Sequence, residues 1–417
     1  MEFPFQEHLS LEAFAKEYWQ ECPLFLPNSL EPSDFPIHRN EIFELASSPL
    51  FTSRIIRERQ QNHDWEIPRS TDGVHFPDDP WNESQSWQLS TGPFERKGLE
   101  NSLCYSHWML LVQSTEWFID SMHDLMEQFR FLPNWRLDDL QLSFSTPHGS
   151  AGPHVDRYDV FLVQLTGRKT WKIESSPRVR EQKMDEEDVD VEMDLDLLEA
   201  FHPDKEFTAG PGDVLYLPAN IPHYGIADQE CITASVGFKA PNHHTLESSF
   251  FDLSERLVWN PKKYGHLRVE DLEDPGRIGD DPVNWLQDEL RRIADDRDLL
   301  AHVFCSGITF PLRHDSSSAI FRQFNTDQIF DELKKGCILM RLTPGCMAYR
   351  ESEDAIYVYS HGIETKLKKN LKPFAQLLTG RETISYASLH PYLDDEDVID
   401  LLDCLIEDGL LIATETD

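Results

Sequence analysis

The spacing of apolar positions changes character several times along the 417 residues. Ser10 to Glu21 opens on an N-cap serine and continues as an amphipathic helix, and Pro68 to Gly98 is crowded with turn residues and tryptophan. From Ser114 to Phe131 the pattern is helical, with Trp117, Phe118, Met122, Leu125, Met126 and Phe129 near i, i+3, i+4 spacing. The period then shortens. Leu140 to Ser145, Val160 to Leu165, Thr170 to Glu174, Asp213 to Leu217 and Ile232 to Phe238 are short β-rich runs separated by Gly, Pro and polar turns. That spacing predicts an antiparallel sandwich or barrel. Thr166-Gly167 reads as a hairpin tip between two of these strands. Ala209 to Asp213 reads as a tight turn feeding the strand before His223. Beyond Pro241 the pattern is helical to about Asp298, with Leu253, Leu257, Trp285, Leu290 and Ile293 offering apolar faces for helix packing or subunit contact. From Val303 onward, short strands (Gly336 to Leu342, Ala355 to Tyr359) alternate with helices (Phe374 to Leu378, Asp395 to Asp408).

Composition narrows the function classes. Hydrophobic residues make up 40% and aromatics 11%, enough for a packed core. Asp and Glu number 75 against 38 Lys and Arg, a formal charge of −37. A nucleic-acid binder needs a basic footprint on phosphate, and this chain has the opposite, so direct nucleic-acid binding is not expected. The acidity reads either as a solvated surface or as attraction for a basic partner. Glu181 to Glu199 alone holds ten acidic residues and one lysine, Lys183, which predicts a solvent-exposed insertion. No run approaches the roughly 20 apolar residues of a membrane span, and the opening residues lack the pattern of a signal peptide. The seven cysteines form no C-x-x-C pair and read as reduced thiols of a cytoplasmic protein.

The chemistry concentrates in Pro153-His154-Val155-Asp156 and Pro222-His223-Tyr224. On a strand, side chains two apart share a face, so His154 and Asp156 would grip one ion while Val155 packs behind. With His223 they would form a 2-His-1-carboxylate facial triad, which leaves iron positions open for a co-substrate and oxygen. A lone His-x-Asp arises by chance in long chains; the strands between the two sites and the Gly-Asp turn before His223 favour the metal. Such an iron site needs an electron source, commonly 2-oxoglutarate, whose far carboxylate needs a cation. Lys169 shares a face with Trp171. It is either a surface lysine or, if inward, a cation that requires an anionic ligand.

The stretch Gly152-Pro-His-Val-Asp-Arg-Tyr-Asp-Val-Phe-Leu-Val-Gln-Leu-Thr-Gly-Arg-Lys-Thr-Trp171, with Pro218 to His223 and Ser235 to Pro241, resembles the JmjC-type, cupin-fold ribosomal oxygenases. The bacterial branch, arginine hydroxylases of the sixteenth large-subunit ribosomal protein, is the most similar. The resemblance implies an α+β chain: a double-stranded β-helix (the cupin/JmjC jelly roll) with N-terminal helical and loop elements over 1–240, a helical dimerisation segment over 241–302, and a winged-helix domain over 303–417. It implies that His154, Asp156 and His223 bind Fe(II), and that Lys169 and Ser145 hold the 2-oxoglutarate carboxylate. Tyr158 and Asp159 would shape the pocket for a cationic substrate side chain. The implied protein is a homodimeric hydroxylase of a basic ribosomal protein. Two departures stand out. Many bacterial members carry arginine where this chain has Lys169, whereas lysine is found in the eukaryotic ribosomal oxygenases, whose favoured target is histidine; the acidic insertion is the other departure. Rival readings are a 2-oxoglutarate oxygenase with a histidine, another protein or a small molecule as target, and a cupin-fold binding module without catalysis. A DNA-binding role for the C-terminal domain conflicts with Pro391 to Asp417, which has ten acidic residues and no Lys or Arg.

Overall fold

The computed structural model describes residues 3–6, 8–58, 87–178, 197–198, 200–239, 278–310, 326–341, 346–380 and 384–414. The acidic insertion, apart from residues 197 and 198, and the helical stretch from 241 to 277 with Leu253 and Leu257 lie outside the described residues.

Eleven strands build the first part of the chain: β1 (Leu24–Leu26), β2 (Ser53–Glu58), β3 (Trp87–Thr91), β4 (Trp108–Val112), β5 (Leu137–Ser145), β6 (Asp159–Thr166), β7 (Lys169–Ile173), β8 (Lys205–Ala209), β9 (Val214–Leu217), β10 (His223–Ala227) and β11 (Cys231–Phe238). They form an eight-stranded antiparallel sheet in the order β1-β9-β6-β11-β5-β4-β2-β3, and a three-stranded sheet in the order β10-β7-β8. Val160, Leu162, Leu215 and Leu217 of the large sheet meet Trp171, Ile173 and Ala209 of the small one in a single apolar cluster, so the two sheets face each other. The other face of the large sheet carries the main core. There Phe161 and Tyr216 pack among Phe5, Phe14, Phe129 and Phe238. Helices α1 (Leu11–Glu17), α2 (Arg39–Ala46), α3 (Arg96–Ser102) and α4 (Asp120–Glu127) belong to this part of the chain, and all four add side chains to that core through Phe14, Ile42, Phe43, Leu99, Met122 and Leu125.

Two expectations from the periodicity need correction. The helix expected from Ser114 to Phe131 is broken: a 3-10 turn at Thr115–Trp117 precedes α4. Thr115 Oγ1 donates to the Leu140 carbonyl (3.0 Å) and the Glu116 carboxylate accepts from Leu140 N (3.0 Å), which ties the segment's start to β5 and forces the helix to begin afresh. Thr166-Gly167 is not a hairpin tip. The chain crosses there from the large sheet to the small one, because β6 pairs with β9 and β11 while β7 pairs with β8 and β10. Gly167 makes the crossing with φ +66°, and a Cβ there would lie 2.2 Å from the Glu230 carbonyl oxygen.

Beyond the barrel come α5 (Asp280–Asp295), α6 (Arg297–Thr309) and α7 (Thr326–Lys335), then β12 (Ile338–Arg341), β13 (Met347–Glu351), β14 (Ala355–Ser360), β15 (Ile363–Lys368), α8 (Lys372–Thr379), β16 (Ile384–Ser385), α9 (Tyr386–Leu389), α10 (Glu396–Glu407) and β17 (Leu411–Thr414). Residues from Ile329 to Leu411 share their own hydrophobic core. Cations from the barrel meet this part at helix C-termini, where carbonyls lack intrahelical partners and the dipole is negative. Buried Lys239, just after β11, donates to the Ile308 carbonyl of α6 (3.4 Å). Buried Arg130 donates to the Gly380 carbonyl at the end of α8, where Asn134 Nδ2 donates to Thr379 O (2.7 Å) and Arg341 Nε to Leu378 O (2.7 Å). Among the described residues, no helix is long and apolar enough to cross a membrane.

Candidate active site

His154 and Asp156 lie on the loop leading into β6, not within a strand. Two isolated antiparallel bridges hold the loop extended, one from His154 to His223 and one from His154 to Leu197. His154 N donates to the His223 carbonyl (3.0 Å), and His223 N donates to the His154 carbonyl (2.9 Å). Asn220 N donates to the Asp156 carbonyl (2.7 Å), fixing the third residue of the motif. Gly152 enters the loop at φ +79°, and a Cβ there would come within 2.5 Å of Leu197 Cδ2. Glycine is therefore required where the chain turns toward the ligands.

The bridge places the two imidazole rings 4.3 Å apart. Asp156 sits against both, with Oδ1 3.8 Å from His154 Nε2 and Oδ2 3.5 Å from His223 Nε2. One ligand atom from each residue falls within 4.8 Å of the others, and no other such group of three His, Cys, Asp or Glu side chains occurs among the described residues. His154 Nδ1 lies 2.9 Å from the Gly152 carbonyl, and His223 Nδ1 lies 2.9 Å from the Ile221 carbonyl. A carbonyl only accepts, so each Nδ1 holds the ring proton and each Nε2 offers its lone pair toward Asp156. Burial, reinforced by the neighbouring His154, lowers the His223 pKa to about 4 against the pull of Asp156, so this ring is neutral, as a ligand must be. Two imidazoles and a carboxylate on one side of an ion suit a divalent metal with open positions.

The second half of the site is on β7. Lys169, Trp171 and Ile173 are buried while Thr170 and Lys172 are half-buried, so the lysine points between the sheets. Lys169 is only 3% exposed, and among the described residues its ammonium has no hydrogen-bond acceptor or carboxylate partner. It lies 4.9 Å over the Trp171 ring, and burial lowers its pKa. The Ser145 hydroxyl, fully buried at the end of β5, is also unsatisfied. Lys169 is opposite Ala227, four residues along β10 from His223, or about 13 Å at strand spacing. Its side chain lies over Trp171, whose ring is in turn 6.0 Å from that of His223, so it reaches back toward the triad. Gly225 makes room for the indole, since a Cβ there would lie 2.5 Å from it. A buried cation without a counter-ion and an orphan hydroxyl are each unfavourable until an anion satisfies them. The arrangement fits a diacid held by a metal at one end and by Lys169 and Ser145 at the other.

Asp159 does not take part in this chemistry. It is fully buried on the face of β6 that carries Phe161, turned away from the small sheet. Its carboxylate accepts from Tyr216 Oη (2.7 Å) and Gln20 Nε2 (3.1 Å), which makes it a strut inside the core. Tyr158 is 38% exposed on the loop after the ligands. The periodicity gave no hint of Gly225 or of the buried Gln164–Thr233 pair (3.0 Å), because both depend on which strand faces which. Trp171 was visible as Lys169's neighbour on the same face, without a role.

Residues 124–246 match the JmjC domain family. The ribosomal protein uL16 3-hydroxylase of Escherichia coli (strain K12) is 29% identical over 97% of this chain and 98% of its own length. The crystal structure of E. coli ycfD matches with a TM-score of 0.74 at 26% identity, covering 99% of this chain and 100% of that one. The structure of the ribosomal oxygenase YcfD in complex with cobalt and 2-oxoglutarate matches with a TM-score of 0.71 at 26% identity, over 97% and 98% of the two chains. The two facing sheets are accordingly a JmjC/cupin fold within a mixed α and β chain.

His223 makes the metal-free protein acid-sensitive. Its folded pKa is near 4 against 6.5 for a free ring, so the unfolded state gains a proton first as pH falls. Stability should be full above pH 6.5 and decline as pH drops toward 4, and the difference between parent and His223→Gln in urea unfolding should shrink across that window. An unchanged difference would exclude a buried neutral imidazole. Asp159→Ala should cost about 1–3 kcal/mol by leaving the Tyr216 hydroxyl proton and the Gln20 side-chain amide without their acceptor. Metal affinity, read by calorimetry with Mn(II), should stay at the parent value; a loss would place Asp159 in the site after all.

Proposed function

From a chain that carries a JmjC domain and resembles bacterial ribosomal oxygenases along its whole length, we propose an Fe(II)- and 2-oxoglutarate-dependent hydroxylase of a ribosomal protein. Its first candidate substrate is an arginine of the large-subunit protein uL16. The observation that carries the reading is the buried Lys169, without a carboxylate partner among the described residues, beside the buried Ser145 hydroxyl and one strand's reach from two histidines and a carboxylate.

In this reading His154, Asp156 and His223 hold Fe(II), with Nδ1 of each ring locked to a carbonyl so that neither can swing away. Lys169 supplies a point charge, and Ser145 a hydroxyl, to the far carboxylate of 2-oxoglutarate; an arginine there would grip it in a fork instead. Trp171 covers the path between the two ends, and Val160, Leu162, Leu215 and Leu217 keep the surroundings apolar. Excluding water strengthens both the ion pair and the metal–carboxylate contact. When bound, metal and co-substrate supply oxygen activation, with 2-oxoglutarate decarboxylated to succinate as a substrate C–H becomes C–OH.

The remaining parts of the chain serve the same proposal. The barrel spans 1–240, a dimerisation segment 241–302 and a winged-helix-like domain 303–417. Helix α5 supports the dimer: Val283, Leu286 and Leu290 lie along one face at 59%, 49% and 57% exposure, and a second copy would cover them. The acidic α10 at the end of the chain suits a protein contact and opposes a nucleic-acid role. A ribosomal substrate places the protein in the cytoplasm, and the net charge of −37 suits a basic one.

Purified protein with Fe(II), ascorbate and 2-oxoglutarate should add 16 Da to a uL16 peptide, and Lys169→Ala should raise the 2-oxoglutarate KM by about tenfold or more. The absence of 2-oxoglutarate turnover on every ribosomal-protein peptide would sink the proposal. Addition to a histidine-containing peptide alone would move the target from arginine to histidine. Replacing both Leu286 and Leu290 with Asp should turn a dimer into a monomer in sedimentation velocity; a dimer that survives would put the interface elsewhere.

A further inference from the structure

One buried group beside Lys169 has no part in the chemistry described so far. Along β11, Ile232, Ala234, Val236 and Phe238 enter the main core, which turns Cys231 and Thr233 to the opposite face, toward the small sheet. Cys231 is 1% exposed and stands directly across the ladder from Ser145. It also backs onto the crossing that leads into β7: a side chain at Gly167 would bring its Cβ within 2.7 Å of Cys231 Cβ. Lys169 and Cys231 face each other closely enough that the ammonium counters the rise that burial imposes on the thiol pKa. Three strands thus bring an ammonium, a hydroxyl and a thiol together between the sheets. Among the described residues the ammonium has no carboxylate partner, and the hydroxyl, more than nine-tenths buried, has only the thiol beside it.

We propose that Cys231 is the third contact of the anionic end of this site, packing on the far carboxylate and adjoining methylene of a five-carbon 2-oxo diacid. The proposal rests on the co-substrate reading above and deepens it. A carboxylate has about four lone-pair sites, and Lys169 and Ser145 do not surround it. A thiol is small, polarizable and a weak donor, so it fills the remaining side without demanding a strong partner. The size of residue 231 would then set how long a diacid the interior accepts, while the metal end stays indifferent to it.

The full chain loaded with Mn(II) in the absence of oxygen separates the two ends, using 2-oxoglutarate against pyruvate, which keeps the 2-oxo acid and lacks the far carboxylate. Titration calorimetry on the parent, Cys231→Ser, Cys231→Val and Cys231→Leu gives both affinities, and circular dichroism melting reports folding. Cys231→Ser should stay within about threefold of the parent for 2-oxoglutarate, and Cys231→Leu should lose about tenfold or more, with pyruvate unchanged in both. If Cys231→Leu does not fold, Cys231→Val decides, with an expected loss of about threefold. A folded Leu or Val variant with the parent's ratio of the two affinities overturns the role of Cys231. A parent that binds no 2-oxoglutarate overturns the co-substrate reading itself, and that outcome is read before any variant is compared.

Discussion

Two reciprocal backbone hydrogen bonds between His154 and His223 hold the candidate site together. The residues are distant in sequence, and His154 belongs to no strand. His148 and Gly149 tie the start of this loop to Ala227, Asn220 ties Asp156, and the bridge to His223 sets His154 between them. With it, two imidazoles and a carboxylate converge, and the glycine at 152 lets the chain turn into the bridge. The constraint acts on backbone atoms, so it is independent of what the side chains bind. A ligand geometry set this way is present before any ion arrives, which lowers the ordering that binding must impose.

The interior between the sheets adds a second, electrostatic constraint. Among the described residues a buried ammonium stands without a carboxylate, an arrangement that weakens the ligand-free fold. Natural interiors keep such groups where a ligand completes them, and the apolar side chains around Trp171 make the completion strong by keeping water away. Stability and recognition thus pull in opposite directions at Lys169, and the surrounding core is large enough to carry the difference.

Much of this was legible in the residues. Strand positions for β5, β6, β7, β9 and β11 followed from short β-rich runs, and alternation put Lys169 on one face with Trp171 without saying whether that face looks inward. The three metal-binding candidates come together as their residue types suggested. What failed had a common cause. Thr166-Gly167 looks like any hairpin tip, because a turn that reverses within one sheet and a turn that crosses to another use the same residues. Asp159 looked like a pocket residue because it follows the ligand motif, yet the parity of β6 sends it into the aromatic core. Strand β4 is buried on both faces, as β9 is, but Trp108 to Val112 lacks the Gly-Pro-Gly-Asp turn that marks where β9 begins. Which sheet a strand joins, and which face looks inward, are settled by long-range pairing that local pattern does not encode.

The docking of the C-terminal part bears on the site in one more way. Asn134 precedes β5 and Lys239 follows β11, and these two strands pair along their length with Leu137 opposite Phe238 and Ser145 opposite Cys231. Asn134 and Lys239 therefore clamp one end of a two-stranded rail whose other end carries the polar groups beside Lys169. The ladder resists any slip of one strand against the other, since a shift by one residue would reverse every side chain. The ladder therefore ties the seating of the C-terminal part to the placement of Ser145 and Cys231 beside Lys169.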